Sequence, residues 1–136
     1  MEYKILENED LELMEKFIDD ENTEYKKENL LTFINEKNTY GFIVKNENDI
    51  IGFAYGCVLV RPDGKKDFYM HAVDIQKEYQ GKGYGTDLIK YANEYIKNIG
   101  CRKMFLITNK RNIAACKCYE KAGGVAKNDD DVVYVF

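Results

Sequence analysis

Tyr79-Gln80-Gly81-Lys82-Gly83-Tyr84-Gly85-Thr86 is the stretch on which the reading of this chain turns. It lies between an apolar run, Phe68 to Ile75, and an amphipathic run, Leu88 to Ile99. A glycine-rich turn feeding a helix start presents backbone N–H groups and the positive end of a helix dipole, which together bind phosphate. The alternating glycines remove Cβ atoms that would hold an anion off, and they allow positive φ. The spacing excludes two common phosphate binders. A P-loop needs Gly-x-x-x-x-Gly-Lys-Ser/Thr, and no Lys-Ser/Thr pair closes this loop. A dinucleotide fingerprint needs Gly-x-Gly-x-x-Gly, but its third glycine position holds Thr86 counted from Gly81 and Leu88 counted from Gly83. The pattern that fits is Gln-x-x-Gly-x-Gly, read as Gln80, Gly83 and Gly85.

The flanking sequence predicts the elements around this loop. Tyr3 to Leu6 reads as a first strand. Asp10 to Asp20 is a helix with Leu11, Met14, Phe17 and Ile18 at helical spacing and Asp10 as its cap. Glu24 to Asn35 continues helically. Thr39 to Lys45 and Ile50 to Val60 are strands joined by the Asn46-Glu47-Asn48-Asp49 turn, and Phe68 to Ile75 is the next strand. Gly83 to Ile99 is a helix stopped by Gly100. Cys101 to Thr108 is a strand, Asn112 to Lys121 a helix broken by Gly123-Gly124, and Val132 to Phe136 a terminal strand. The order β-α-α-β-β-β-α-β-α-β implies an α/β fold of the α+β kind: a mixed sheet with helices on both faces.

The chain has 136 residues, which suits a single domain over 1–136. Its hydrophobic content of 45% argues against disorder. No apolar run approaches the ~20 residues that span a bilayer, and Met1-Glu2-Tyr3-Lys4 lacks a signal-peptide core, so a cytoplasmic location is expected. Four cysteines and one histidine, His71, give no metal-ligand pattern; Cys116 and Cys118 lie two apart on a helix and point to different faces. Reduced, idle thiols are expected, and no metal. The charge is uneven. Residues 1–50 carry fourteen Asp/Glu against six Lys/Arg, and residues 76–121 carry ten Lys/Arg against four Asp/Glu. An anionic cofactor suits the second segment and a cationic acceptor the first, although solvated surface charge without a partner gives the same composition.

A second constellation follows in Asn109 to Gly123. Asn112, Ala115 and Tyr119 stand at i, i+3 and i+7 and share a helix face. With Gly123 they give Asn-x-x-Ala-x-x-x-Tyr-x-x-x-Gly. The glycine loop and this pattern, in this order, resemble the GCN5-related N-acetyltransferase (GNAT) superfamily. The resemblance is specific over residues 68–123 and weaker over residues 1–66. It implies acetyl-CoA as cosubstrate, with the pyrophosphate on the backbone of Gly81, Lys82, Gly83, Tyr84, Gly85 and Thr86 beside Gln80. It implies pantetheine along the end of the preceding strand at Ile75, Gln76 and Lys77, with the Ile75 N–H polarising the thioester carbonyl. On the second motif, Asn112 would contact pantetheine, Ala115 would make room for it, and Tyr119 would protonate the leaving thiolate. Taken alone, Tyr119 also reads as a core aromatic with its hydroxyl at the surface.

The general base is less legible. Positions that carry an acid in some relatives hold Tyr69 and Ala72 here, which leaves His71 and Asp74 on the same strand as candidates, each of which can equally be structural. Tyr55 can line the acceptor pocket or pack. The segment Gly123 to Phe136 is similar to small aminoglycoside-type members, and Asp129-Asp130-Asp131 in it can receive a polyamine or aminoglycoside. The leading expectation is therefore transfer of acetyl from acetyl-CoA to a primary amine, small and cationic or a peptide, by direct attack in a ternary complex. The alternatives are a non-catalytic acyl-CoA sensor or a protein N-acetyltransferase. A nucleic-acid module fits poorly with the acidic balance. Partners expected are the amine substrate and a compatible homodimer, with no nucleic acid and no membrane.

Overall fold

The turn at Asn46–Asp49 and the continuous apolar runs on each side of it, buried on both faces, set the centre of the sheet. The computed structural model describes residues 1–128 and 130–136, and its sheet runs in the order β1-β2-β3-β4-β5. These are β1 (Glu2–Ile5), β2 (Thr39–Lys45), β3 (Ile50–Val60), β4 (Lys66–Ile75) and β5 (Lys103–Phe105). The first four strands pair antiparallel and β5 joins β4 in parallel. The helices are α1 (Glu15–Ile18), α2 (Lys27–Asn35), α3 (Tyr84–Asn98) and α4 (Ile113–Lys121). A 3-10 helix, Asn8–Met14, runs into α1.

Each face of the sheet buries its own cluster. On one, Phe42, Val44, Ile51, Ala54, Phe68 and Met70 pack against Leu88, Ile89, Ala92 and Ile96 of α3. The spacing of those four is the apolar stripe of an amphipathic helix. On the other, Ile43, Ile50 and Phe53 pack against Leu6, just after β1, and against Leu11, Met14 and Leu30 from the first helices. Helix α3 ends at Gly100, whose φ of 102° turns the Cys101 N–H back onto the Ile96 carbonyl at 2.9 Å.

A bulge in β4 organises the second face. Tyr55 pairs with Ala72 and Gly56 with Met70, so His71 is the extra residue. Gly56 opposite is required, because a Cβ there would sit 2.0 Å from the Tyr69 carbonyl oxygen. The bulge turns Tyr69, Ala72 and Asp74 toward one face, although simple alternation would put Tyr69 and Ala72 on opposite sides.

The fold class and nine of the expected elements are present, with three corrections. Val132–Phe136 forms no strand: it is exposed and unpaired. Its β-branched and aromatic residues carry strand propensity, but a strand exists only against a partner. The strand expected over Cys101 to Thr108 is cut to Lys103–Phe105, because beyond Phe105 the chain leaves β4. The helix expected from Asp10 begins instead with the 3-10 helix, capped by Glu7. Asp10 is its third residue and closes a reciprocal capping box, accepting from the Glu7 N–H at 3.1 Å.

Asp10 is fully buried, and the lysines flanking it, Lys4 and Lys45, reach it at 2.9 and 3.0 Å. Burial alone would raise its pKa; hydrogen bonds from Lys4, Lys45 and the Glu7 N–H overcome that and hold the carboxyl below its ordinary value. A depressed folded pKa contributes stability that is fully present above the unfolded value near ~3.9 and is lost as pH falls through the folded value. Asp10→Asn takes the anion from Lys45 and leaves Lys4 to Glu7 and Glu9, and should cost about 2 kcal/mol at pH 7. Urea titrations at pH 7 and pH 3 check this. The gap between parent and variant should shrink at the lower pH, and an equal gap at both would contradict the ionic account.

Candidate active site

The loop after β4 holds the geometry that its glycines require. Gly81 and Gly83 adopt φ of 75° and 90°, the left-handed region. Gly83 is the N-cap of α3, and no side chain caps that helix. The first intrahelical bond runs from the Asp87 N–H to the Gly83 carbonyl at 3.0 Å. The N–H groups of Tyr84, Gly85 and Thr86 therefore point out of the helix start without intrahelical partners. Lys82 is exposed and places its Nζ 5.7 Å from the centre of the Tyr79 ring, which itself meets Tyr84 edge-on. This is an anion cradle with a lysine at its lip.

Gly85 acts differently. A Cβ there would lie 3.2 Å from the Cys118 Sγ and 3.5 Å from Ile75 Cγ1, so this glycine seats α3 against α4 and the end of β4. Thr86 is drawn into the same contact: its hydroxyl donates to the Cys118 carbonyl at 3.3 Å and approaches Cys118 Sγ at 3.6 Å. Its hydroxyl is thus committed to α4, and its backbone N–H is the group it offers an anion.

At the end of β4 the Gln76 N–H donates to the Ile51 carbonyl at 2.9 Å. Strand alternation then turns the Ile75 N–H and carbonyl to the opposite edge. The β4–β5 ladder stops at Tyr69 and Phe105, so no strand pairs with Ile75 there. The Gln80 side chain crosses the loop and donates to the Ile75 carbonyl at 2.9 Å. Gln76 points elsewhere: its amide nitrogen reaches the Ile50 carbonyl and, at 3.2 Å, the Asp49 carboxylate, which also pairs with Lys16. Lys77 opens an exposed 3-10 turn, Lys77–Tyr79. The Ile75 N–H thus faces the edge that no strand occupies, whereas the Gln76 N–H is engaged by Ile51.

Helix α4 presents the second motif beside this edge. Asn112 caps α4, its Oδ1 accepting from the Ala115 N–H at 3.1 Å, which leaves its side-chain NH₂ to donate. Ala115 and Tyr119 follow on the same face. Tyr119 packs partly against the core of the α3 side, and no protein group among the described residues bonds its hydroxyl. Burial pushes its phenol above the ordinary value, and Cys118 and Cys116 add to the rise. The helix is stopped just beyond it: Gly123 at φ 99° and the Gly124 N–H, donating to the Tyr119 carbonyl at 2.9 Å, form a Schellman cap.

The face on which the first helices pack carries the remaining candidates. His71 is exposed between Tyr55 and Tyr69, with ring centroids at 5.2 and 5.6 Å. Phe105 stacks on Tyr69 at 5.2 Å, and Phe33 of α2 meets Tyr55 edge-on. Asp74 is exposed further along β4, on the same face. Phe105 and the Gln76–Asp49–Lys16 link escaped the sequence reading; only the alternation of aromatic residues in β3 and β4 hinted at the former. Of the acidic cluster, Asp129 lies outside the described residues, and Asp130 and Asp131 are exposed. All four cysteines are free, no described helix is long and apolar enough to cross a membrane, and no group of described His, Cys, Asp and Glu side chains could hold a metal.

Comparison with known proteins agrees with this architecture. The model of the acetyltransferase (GNAT) family matches residues 6–124. An uncharacterized N-acetyltransferase, YobR of Bacillus subtilis strain 168, is 43% identical over 49 residues, covering 36% of this chain and 20% of YobR. A probable spermine N(1)-acetyltransferase of Bacillus subtilis subsp. natto is 30% identical over 81 residues, covering 57% of this chain and 53% of that protein. The chain thus spans about half or less of the length of these relatives. An aminoglycoside acetyltransferase, meta-AAC0020 from an uncultured soil metagenomic sample, solved with trehalose, superposes with a TM-score of 0.84 at 23% identity, covering 99% of this chain and 95% of that one. The same protein has been solved with sisomicin.

Proposed function

The chain belongs to the acetyltransferase (GNAT) family, and from that premise we propose that it transfers an acetyl group from acetyl-CoA to the primary amine of a small cationic acceptor. One observation carries the reading. The uncapped start of α3, the Ile75 N–H on the open edge of β4 and the Tyr119 face of α4 lie around the point where Gly85 seats α3 on Cys118 and Ile75.

The cradle of Gly81 to Thr86 takes the pyrophosphate, and Lys82 adds a cation. Pantetheine runs along the open edge at Ile75, near the donor side chain of Asn112. The Ile75 N–H stabilises charge on the thioester oxygen as the amine nitrogen attacks the carbonyl carbon. The carbon–sulfur bond breaks, the thiolate takes the Tyr119 proton, and the amine sheds one proton to His71 or Asp74.

The acceptor class follows from charge and from the relatives. The acidic segment 1–50 includes the first helices, which pack on the face that carries His71 and Asp74, whereas the basic segment 76–121 includes α3 and α4. Among the relatives are a probable spermine acetyltransferase and an aminoglycoside acetyltransferase. The test is release of free thiol from acetyl-CoA across a panel of polyamines, aminoglycosides, amino acids and peptides. Polyamines or aminoglycosides should lead it. Their KM should rise with salt, since exposed charges are screened beyond about 10 Å at 0.1 M. Preference for neutral or acidic amines would overturn the acceptor class alone. Acetyl-CoA binding with no thiol release from any acceptor would leave an acyl-CoA sensor.

A further inference from the structure

Gln76 is bonded to three consecutive residues where β3 begins. Its backbone N–H donates to the Ile51 carbonyl at 2.9 Å, and its carboxamide nitrogen donates to the Ile50 carbonyl and, at 3.2 Å, to the Asp49 carboxylate. A primary amide has two N–H donors, so both are engaged. Asp49 is in turn held by Lys16 of α1 through both carboxylate oxygens. Burial alone would raise the Asp49 pKa; hydrogen bonds from Lys16 and Gln76 outweigh it and hold the carboxyl below its ordinary value.

This clamp sits where β4 most needs one. The β4–β5 ladder stops at Tyr69 and Phe105, so the end of β4 has β3 as its only strand neighbour. Ends of that kind open first. Yet this end carries the N–H assigned above to the thioester oxygen. The peptide between Ile75 and Gln76 is trans, so its N–H and carbonyl point opposite ways. Ile51 takes the N–H, and Gln80 donates to the carbonyl at 2.9 Å on the other edge. The Ile75 N–H shares that second edge with its own carbonyl. The Ile75 side chain is wedged between two glycines: a Cβ at Gly52 would lie 2.5 Å from Ile75 Cδ1, and one at Gly85 3.5 Å from Ile75 Cγ1.

We propose that Gln76 is a positioning residue for the transfer: it fixes the aim of the Ile75 N–H, and Lys16 acts through Asp49 to hold Gln76 in place. The inference rests on the reading of Ile75 as the donor to the thioester oxygen. The Gln76 carboxamide replaces the ladder bonds that a neighbouring strand would supply. Lys16 ties the same end of β4 to the helices that pack on the face of His71 and Asp74.

Gln76→Leu keeps the bulk and removes both side-chain donors. It should lower kcat about 10-fold, against about 100-fold or more for losing an oxyanion donor outright. The Kd for free CoA, which has no thioester carbonyl, should stay at the parent's value. In nitrogen relaxation spectra of the protein without ligand, the Ile75 amide should become more mobile while those of Gly83 and Thr86 do not. Gln76→Glu adds a pH signature. Its carboxylate cannot donate and faces Asp49; once protonated, it donates again. The ratio of variant to parent kcat should therefore climb as pH falls. Lys16→Met should cost about 3-fold in the parent and nothing further in Gln76→Leu, because both act through one chain of bonds. An Ile75 amide as rigid as the parent's, a rise in CoA Kd that matches the fall in kcat, a flat Gln76→Glu ratio, or additive losses would each overturn the proposal. A parent that binds acetyl-CoA but acetylates no acceptor would overturn the functional reading instead, with the Ile75 amide still deciding the clamp.

Discussion

Tyr119→Phe should lower kcat about 100-fold with a good amine acceptor, the range for losing a positioned general acid. The ring remains, so its packing against the α3-side core should survive and acetyl-CoA affinity should stay close to the parent's. The structure gives the hydroxyl a free hand: no described protein group bonds it, and the Schellman cap at Gly123-Gly124 fixes the last turn of α4 behind it. Its environment also sets a sign. Burial raises the phenol pKa, so the acid stays protonated through neutrality, and the rate should show no alkaline fall from this group below about pH 10. An unchanged kcat in the variant would return Tyr119 to a packing role. A parent profile that falls between pH 8 and 9 and persists in Tyr119→Phe would assign the titration to another group.

Gly83→Val should weaken acetyl-CoA binding by about 100-fold or more, for a reason that lies in the backbone. A Cβ at Gly83 meets no protein atom within 4 Å, so the side chain would not clash with the fold. It would instead fill the anion cradle and force a β-branched residue into φ near 90°, at a strain of about 1–3 kcal/mol. Relief of that strain would rotate the first N–H groups of α3 away from the pyrophosphate. Isothermal calorimetry on the folded variant, with its melting temperature as control, measures the effect. Parental affinity in a folded variant would remove the loop from the site.

The parts of this chain visible in its sequence are those governed by local rules. The bounds of β2 and β3 follow from two continuous apolar runs and the polar turn between them, and the span of α3 from its apolar stripe and two glycines. The first N-cap was misplaced because Glu7 and Asp10 form a reciprocal pair, and from sequence either acid suits the role. The candidate residues of the glycine loop and of α4 can be named from their motifs, yet their partners in the fold cannot. Thr86 and Gln76 carry groups suited to a ligand, and tertiary contacts to Cys118 and Asp49 engage them instead. The strand expected at Val132–Phe136 shows the same limit, since propensity says nothing of whether an edge is in reach.

The unpaired His71 gives β4 a parity defect. Before it, odd numbers address the face on which the first helices pack, as at Tyr69; after it, even numbers do, as at Ala72 and Asp74. Anyone grafting a carboxylate onto this strand must therefore switch the odd–even rule midway. Deleting the residue at position 71 would remove the bulge and restore uniform counting, leaving Tyr69, Ala72 and Asp74 on the face they now share. A frame of this sort lets the face that carries His71 be revised position by position while the half that ends at Ile75 keeps its address.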